Sequence, residues 1–147
     1  ICKLIHQINP SIQIILTLSP VRHLKDGMQN NALSKARLLH GIHSVLNQSN
    51  IYYFPAYEIL IDDLRDYRFF DKDMIHPSEV AIQYVWELFQ NIYFSKNSQN
   101  DVVEIQQILK DLAHKPFHPN SEAHKQFKDK LEQKKVELRK RLGIELQ

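Results

Sequence analysis

Residues 12–18, with the sequence IQIILTL, decide the fold of this chain. They form an almost continuous apolar run of strand length, which is typical of a strand buried on both faces of a parallel sheet. A second strand is predicted over Ile51–Phe54. Between the two, apolar residues spaced by three and four predict a helix over residues 32–46, with Leu38 on its buried face. This order is a βαβ unit, so we predict an α/β fold with a parallel sheet.

The remaining elements flank this unit. Residues 57–60 are interpreted as continuing the second strand past Pro55. Further helices are predicted over residues 2–8, 77–94, 101–113 and 122–142, with Pro77 at the first helical position of its helix. The polar stretch KNSQN after Ser95 is interpreted as a linker, and the double-proline segment HKPFHP as a turn. We therefore predict an α/β domain over residues 1–95 and a helical hairpin over residues 96–147.

Two parallel strands cannot form a stable sheet alone, because both edges stay unpaired. The sequence also begins with Ile1 rather than Met, and the first predicted helix has no cap. We therefore expect further strands upstream of Ile1, or pairing with a second copy of the chain. The isolated chain is expected to self-associate through the sheet edge or the tail helices.

The composition excludes several classes of protein. Only 3 glycines occur among 147 residues, too few for the glycine loops that hold dinucleotides or nucleoside triphosphates. The single cysteine, Cys2, excludes an internal disulfide and a cysteine-based zinc cluster. A net charge of +2 gives no bulk signal for nucleic-acid binding. No apolar run approaches the roughly 18 residues that span a bilayer.

The strongest candidate for chemistry is the segment Asp73-Met74-Ile75-His76. An Asp three residues before a His can accept a hydrogen bond from one ring nitrogen, which leaves the other nitrogen as a general base. The segment follows the second strand, and sites in open α/β sheets gather at the carboxyl ends of strands. The alternative is that His76 or Ser78 only caps the next helix while Asp73 is solvated.

The second candidate is the segment Ser19-Pro20-Val21-Arg22-His23, which follows the first strand. If the strands are parallel, it lies at the same sheet edge as the Asp73–His76 segment. Arg22 can bind an anionic or carbonyl oxygen, and His23 can hydrogen-bond a substrate. The alternative is a surface loop with no role in binding.

Weaker signals have structural explanations. The acidic and aromatic residues of the 62–78 loop favour internal Arg–Asp pairing over a metal site, with Phe69 and Phe70 as anchors to the core. Two groups of histidines could each face a metal: His40 with His43, and His114 with His118 and His124. Neither group has a nearby carboxylate that would complete a set of metal ligands. The predicted helix over residues 122–142 is basic. We interpret it as a solvated helix that packs on one side, in preference to a surface that binds nucleic acid.

Three long segments resemble the carboxyl-terminal half of the GSCFA family. They are LTLSPVRHLKDGMQNNALSKARLLHGIH from Leu16, YFPAYEILIDDLRDYRFFDKDMIHPSEVAIQYVWELF from Tyr53, and HKPFHPNSEAHKQF from His114. That family is similar to SGNH/GDSL-type hydrolases. The resemblance implies an incomplete flavodoxin-like three-layer α/β/α fold, with a parallel sheet and the helical hairpin appended.

The resemblance also implies functional residues. Asp73 and His76 match the Asp-x-x-His block that carries the acid and base of SGNH-type hydrolases. Arg22 and His23 match the SPVRH stretch of the family and are candidate substrate-binding residues. The motif that names the family is absent from the 147 residues. The nucleophile and the oxyanion-hole residues are therefore expected upstream of Ile1, and this chain alone is expected to be inactive.

The function predicted from these observations is the carboxyl-terminal part of an ester hydrolase that acts on a small-molecule or glycan ester. It needs no cofactor and no metal. Two alternatives remain open: a non-catalytic binding or assembly module, and an O-acyltransferase that uses the same triad. The first predicts that the geometry of Asp73 and His76 is not that of a triad, for example with His76 buried and bonded only to backbone. The second predicts faster transfer of the acyl group to a sugar hydroxyl than to water.

Overall fold

The computed structural model of the chain describes residues 1–117 and 121–145. In this part of the chain it contains two strands, β1 (Ile14–Thr17) and β2 (Ile51–Phe54). The α-helices are α1 (Cys2–Ile8), α2 (Met28–His43), α3 (Ala56–Glu58), α4 (Glu79–Tyr93), α5 (Lys96–Ala113) and α6 (Glu122–Leu142). The chain divides into two compact units, Ile1–Ile92 and Tyr93–Gln147.

The two strands pair in parallel, with Ile14 opposite Ile51 and Thr17 opposite Phe54. The Thr17 hydroxyl donates a hydrogen bond of 2.8 Å to the carbonyl of Phe54 and ties the carboxyl ends of the strands together. The predicted α/β class and βαβ order are therefore confirmed. The loops that follow β1 and β2 start at one edge of the sheet, as parallel strands require.

The predicted burial of β1 on both faces is wrong for this chain. Alternate residues of the strand are exposed, and Ile15 keeps 38% of its surface in contact with solvent. The apolar run of residues 12–18 indicated a strand correctly, but an apolar run by itself does not establish that other elements cover both faces of the strand.

Helix α2 begins and ends a few residues before the predicted helix. It covers Met28–His43, and Leu38, which was predicted on its buried face, is 57% exposed. The buried side chain on α2 is instead Lys35. A lysine can replace an apolar residue here because its stem packs and its ammonium group finds hydrogen-bond acceptors.

The chain after β2 turns into a helix and does not continue as a strand. Pro55 is the N-cap residue of α3, which runs directly into a π-helical segment, Ile59–Leu64. Ile59 and Leu60 in this segment are buried. The prediction of strand over residues 57–60 was wrong because a short apolar run does not distinguish a strand from a buried helical turn.

Helix α4 packs against β2 in the first unit. The ring of Phe89 meets the ring of Phe54 edge to face, with centroids 5.1 Å apart, and Ala81 is fully buried. The helix begins at Glu79, because the Ser78 hydroxyl accepts a hydrogen bond from the Ala81 amide at 3.4 Å. Pro77 therefore precedes the helix, contrary to the prediction.

The second unit contains the two longest helices of the described residues. The predicted linker after Ser95 is wrong: Ser95 caps α5, accepting a hydrogen bond of 3.2 Å from the Ser98 amide, so α5 already begins at Lys96. Helix α6 has the predicted bounds and ends at Gly143, whose φ of 70° suits glycine. Ile108, Leu131 and Leu138 form the buried core between α5 and α6. None of the described helices is both long and apolar enough to cross a membrane.

Candidate active site

The Asp73–His76 segment lies at the tip of a narrow loop between the π-helical segment and α4. Phe70 and Pro77 form an antiparallel bridge at its base. Above it, the Asp71 amide donates to the His76 carbonyl at 2.8 Å, and the Met74 amide donates to the Asp71 carbonyl at 2.9 Å. Met74 takes a φ of 61°, in the left-handed region that few side chains adopt. The backbone therefore turns sharply between Asp73 and His76.

This turn brings the Asp73 carboxylate onto the ring of His76. Oδ2 of Asp73 lies 2.6 Å from Nδ1 of His76, while Oδ1 accepts the amide hydrogens of Ile75 and His76 at 2.8 and 3.0 Å. A carboxylate held by two backbone donors fixes the ring orientation, and Nδ1 is the nitrogen that carries the proton in this bond. Nε2 of His76 points away from this bond, and the side chain is 60% exposed. The segment therefore has the Asp–His half of a triad geometry.

The electrostatics of the pair favour the charged carboxylate. The hydrogen bond from the His76 side chain, and then those from the His76 and Ile75 amides, lower the pKa of Asp73 from 3.8 to about 2. Asp73 therefore stays ionised at any pH at which an imidazole can act as a base. One part of the alternative is confirmed, because Ser78 caps α4. The part in which Asp73 is merely solvated is wrong, because its carboxylate accepts three hydrogen bonds.

We expect NMR titration of the Asp73 carboxyl carbon to give a pKa of about 2. Because this pKa is lower in the folded chain than its ordinary 3.8, the carboxylate stabilises the fold above about pH 4 and this contribution is lost as the pH falls through about 2. His76→Ala keeps the two amide donors but removes the imidazole, so the pKa of Asp73 should rise part of the way to its ordinary value. An unchanged pKa of Asp73 in His76→Ala would contradict the hydrogen bond from the His76 side chain as the main cause of the low pKa.

Arg22 lies beside this loop. Its Nη1 donates to the Met74 carbonyl at 2.9 Å, and its backbone amide donates to the Ile75 carbonyl at 3.2 Å. The guanidinium carbon lies 4.1 Å from the centroid of the Phe70 ring. The two candidate segments therefore meet, as parallel strands predicted. Arginine has five N–H donors, so these contacts leave the prediction that Arg22 binds substrate untested.

His23 has partners within its own loop. Its Nε2 lies 3.2 Å from Oδ2 of Asp26, and its backbone amide donates to Oδ1 of Asn31 at 2.8 Å. The Asp26 partner was not predicted, although it stands three residues from His23 in the sequence. This pair differs from the Asp73–His76 pair, because its carboxylate engages Nε2 at a longer distance. The prediction that His23 binds substrate remains a prediction.

Lys35 is a further residue that the sequence analysis did not single out. Its Nζ donates to the carbonyls of Ser19 and Val21, the second at 2.8 Å, and so holds the loop that carries Arg22. Burial lowers the pKa of the Lys35 amine from its ordinary value. In the sequence, Lys35 is marked only by its position, which has the spacing of the apolar residues of α2. A lysine at such a position is common and does not by itself indicate a functional role.

The other predicted candidates do not form sites in the described part of the chain. In the acidic loop, Arg68 pairs with Asp66 at 3.9 Å, which is the predicted kind of internal Arg–Asp contact. Asp63 instead accepts a hydrogen bond of 2.6 Å from Tyr84 on α4. No group of three His, Cys, Asp or Glu is arranged to hold a metal among the residues described. His43 lies against Tyr53, and His114 and His124 lie against Phe127. His118 is outside the described residues.

An apolar cavity of about 340 Å³ adjoins the dyad loop through Pro77. Its walls come from both strands, from the π-helical segment and from α4, and include Thr17, Phe54, Leu60, Ala81 and Trp86. Because the lining is apolar, the cavity adds no charged group to the site.

Two protein-family models match the sequence. Residues 1–89 match the GSCFA family, and residues 105–146 match the C-terminal domain of GSCFA domain proteins. Arg22, His23, Asp73 and His76 all lie within the first match. No curated protein and no solved structure matches the chain.

Proposed function

The chain belongs to the GSCFA family, and we propose that it is the carboxyl-terminal part of an SGNH-like ester hydrolase to which it supplies the Asp and His of a Ser-His-Asp triad. The observation that carries the proposal is the bond of 2.6 Å between Oδ2 of Asp73 and Nδ1 of His76. The proposed complete domain is a flavodoxin-like α/β/α fold, of which β1, β2 and α4 are a part.

In this mechanism a serine upstream of Ile1 attacks the ester carbonyl. Nε2 of His76 takes the proton from the serine hydroxyl and returns it to the leaving alkoxide, which departs as the alcohol. In the second step water attacks the acyl carbonyl while the same nitrogen takes its proton. The bond between the acyl carbon and the serine oxygen then breaks, the acid leaves, and Nε2 returns the proton to the serine oxygen. Asp73 keeps the proton on Nδ1 and stabilises the imidazolium that forms in each step.

The exposed position of His76 supports this role over a non-catalytic binding module. A binding module that only inherited the fold has no need to hold an exposed imidazole against a carboxylate with three hydrogen bonds to its oxygens. The O-acyltransferase alternative uses the same triad and differs only in the acceptor. The proposed substrate is an acyl ester, including acyl groups on glycans.

The test is hydrolysis of p-nitrophenyl acetate by a polypeptide that carries a GSCFA motif ahead of these 147 residues. We expect turnover by this longer polypeptide and none by the 147-residue chain, because the nucleophile is missing from it. Activity of the 147-residue chain that disappears in His76→Ala would overturn the upstream position of the nucleophile. Inactivity of the longer polypeptide towards both this ester and acylated glycans would favour the binding module.

The molecule that accepts the acyl group distinguishes the ester hydrolase from the O-acyltransferase. With a sugar present, the hydrolase releases mainly free acid, whereas an acyltransferase gives the sugar ester faster than the acid. Product analysis of the same reaction therefore distinguishes them.

A further inference from the structure

Two consecutive peptide units of the dyad loop are bound from both sides. The first joins Met74 to Ile75: its carbonyl accepts a hydrogen bond from Nη1 of Arg22, and its N–H donates to Oδ1 of Asp73. The second joins Ile75 to His76: its carbonyl accepts from the backbone amide of Arg22, and its N–H donates to the same Oδ1. Arg22 and Asp73 therefore hold the same two units from opposite ends.

This arrangement follows from the geometry of the peptide. In a trans unit the C=O and N–H groups point in opposite directions, so fixing one direction fixes the other. When Arg22 holds the two carbonyls, both N–H groups are aimed at Asp73. A cation on a carbonyl oxygen also polarises the unit, which strengthens the bond donated by its N–H.

The guanidinium of Arg22 is itself held in place. It lies over the ring of Phe70 at 4.1 Å and near the ring of Tyr67 at 5.6 Å from the centroids. Phe70 is bridged to Pro77 at the base of the same loop. A planar guanidinium resting on an aromatic ring keeps its N–H groups in a fixed direction, which a flexible ammonium group does not.

The loop needs such support. Met74 is in the left-handed region, and non-glycine residues remain there only where their surroundings hold them. The side chains of His76 and Asp73 are 60% and 43% exposed, so packing against the core does not fix them.

We propose that Arg22 is a positioning residue, which orients the Asp73–His76 dyad by holding the two peptide units between them. The catalytic meaning of this inference rests on the proposed function, whereas the geometry of the loop does not. It assigns to the Arg22 side chain a task within the protein in place of direct contact with substrate.

The first test is an NMR comparison of Arg22→Met with the unchanged 147-residue chain. The side chain of Arg22 holds only the Met74 carbonyl, whereas its backbone amide, which holds the Ile75 carbonyl, survives the substitution. We therefore expect the Ile75 amide proton to move upfield and exchange faster, with a smaller change at the His76 amide. The pKa of Asp73 should rise from about 2 towards 3.8.

Two further variants separate positioning from charge and from general damage. Arg22→Lys keeps the positive charge but loses the planar group, so its Ile75 amide should resemble that of Arg22→Met. Arg37→Met, at an exposed position of α2, should leave both amides unchanged. Normal Ile75 and His76 amides in Arg22→Met, with the amides of β1 and β2 intact, would overturn the proposal. So would full recovery of the Ile75 amide in Arg22→Lys, which would make charge alone the cause.

The second test measures kinetics in the longer polypeptide. A positioning residue should lower kcat, by about 10- to 100-fold, and leave KM nearly unchanged, because a misplaced base slows chemistry without weakening substrate binding. A raised KM with unchanged kcat would assign Arg22 to substrate binding and overturn the proposal. If the longer polypeptide has no activity at all, the proposed function fails, while the NMR comparison still decides whether Arg22 positions the dyad.

Discussion

His76→Ala should lower kcat for p-nitrophenyl acetate by at least about 10⁴-fold in the longer polypeptide that carries the GSCFA motif. The substitution removes the group that takes the proton from the nucleophile and returns it to the leaving group. Without that group, the serine must attack as a neutral hydroxyl. Steady-state kinetics at neutral pH measures the loss, and KM should change much less than kcat.

The matched control is His40→Ala. His40 is also an exposed histidine, but it lies on α2 and takes no part in the proposed mechanism. We expect its kcat to equal that of the unchanged protein. Equal activity of His76→Ala and the unchanged protein would show that His76 is not the base, and the site would have to be sought elsewhere.

Leu138→Ala should destabilise the helical hairpin of the second unit by about 2 to 5 kcal/mol. Leu138 is 1% exposed and packs in a small core with Ile108 and Leu131. Deleting its side chain removes one of the three buried side chains of this core, so the hairpin loses a large share of its buried apolar contacts. The amides of α5 and α6 should then exchange hydrogen about 30- to 4,000-fold faster, since about 1.4 kcal/mol corresponds to a factor of ten.

The control for this prediction is Val136→Ala on the same helix. Val136 is 43% exposed, so its substitution should change the free energy of unfolding by less than about 0.5 kcal/mol. Hydrogen exchange followed by mass spectrometry compares the two variants. Similar exchange in both would mean that the α5–α6 core does not hold the hairpin together.

Sequence patterns identified the residues of the candidate site but not the backbone conformation and most of the contacts that hold them. The spacing of Asp73 and His76 was enough to predict their hydrogen bond, because three residues of chain limit how far apart the two side chains can lie. The role of Met74 was not predictable, since nothing in its side chain indicates a left-handed backbone. Lys35 was missed because its partners are loop carbonyls whose positions depend on the fold. Asp26, by contrast, stands three residues from His23, a spacing that could have indicated the pair.

The errors in the secondary structure have physical causes as well. Residues 57–60 have the composition of a strand, yet burial of Ile59 and Leu60 in a helical segment satisfies the same apolar side chains. The polar residues after Ser95 were interpreted as a linker, although a serine cap and the long helix that follows extend the helical hydrogen bonds over them. In both places local composition left two states open, and packing or capping selected one.

The sequence by itself determined the order of the elements, the parallel pairing that βαβ order favours, and the two loops in which candidate residues lie. These properties depend on apolar spacing and chain connectivity, which are local. The tertiary structure decided how the loops meet: Arg22 crosses from the end of β1 to hold the carbonyls of Met74 and Ile75, 52 residues away in the first case. Contacts at that separation depend on the directions of backbone and side-chain groups in space, and no local pattern encodes them.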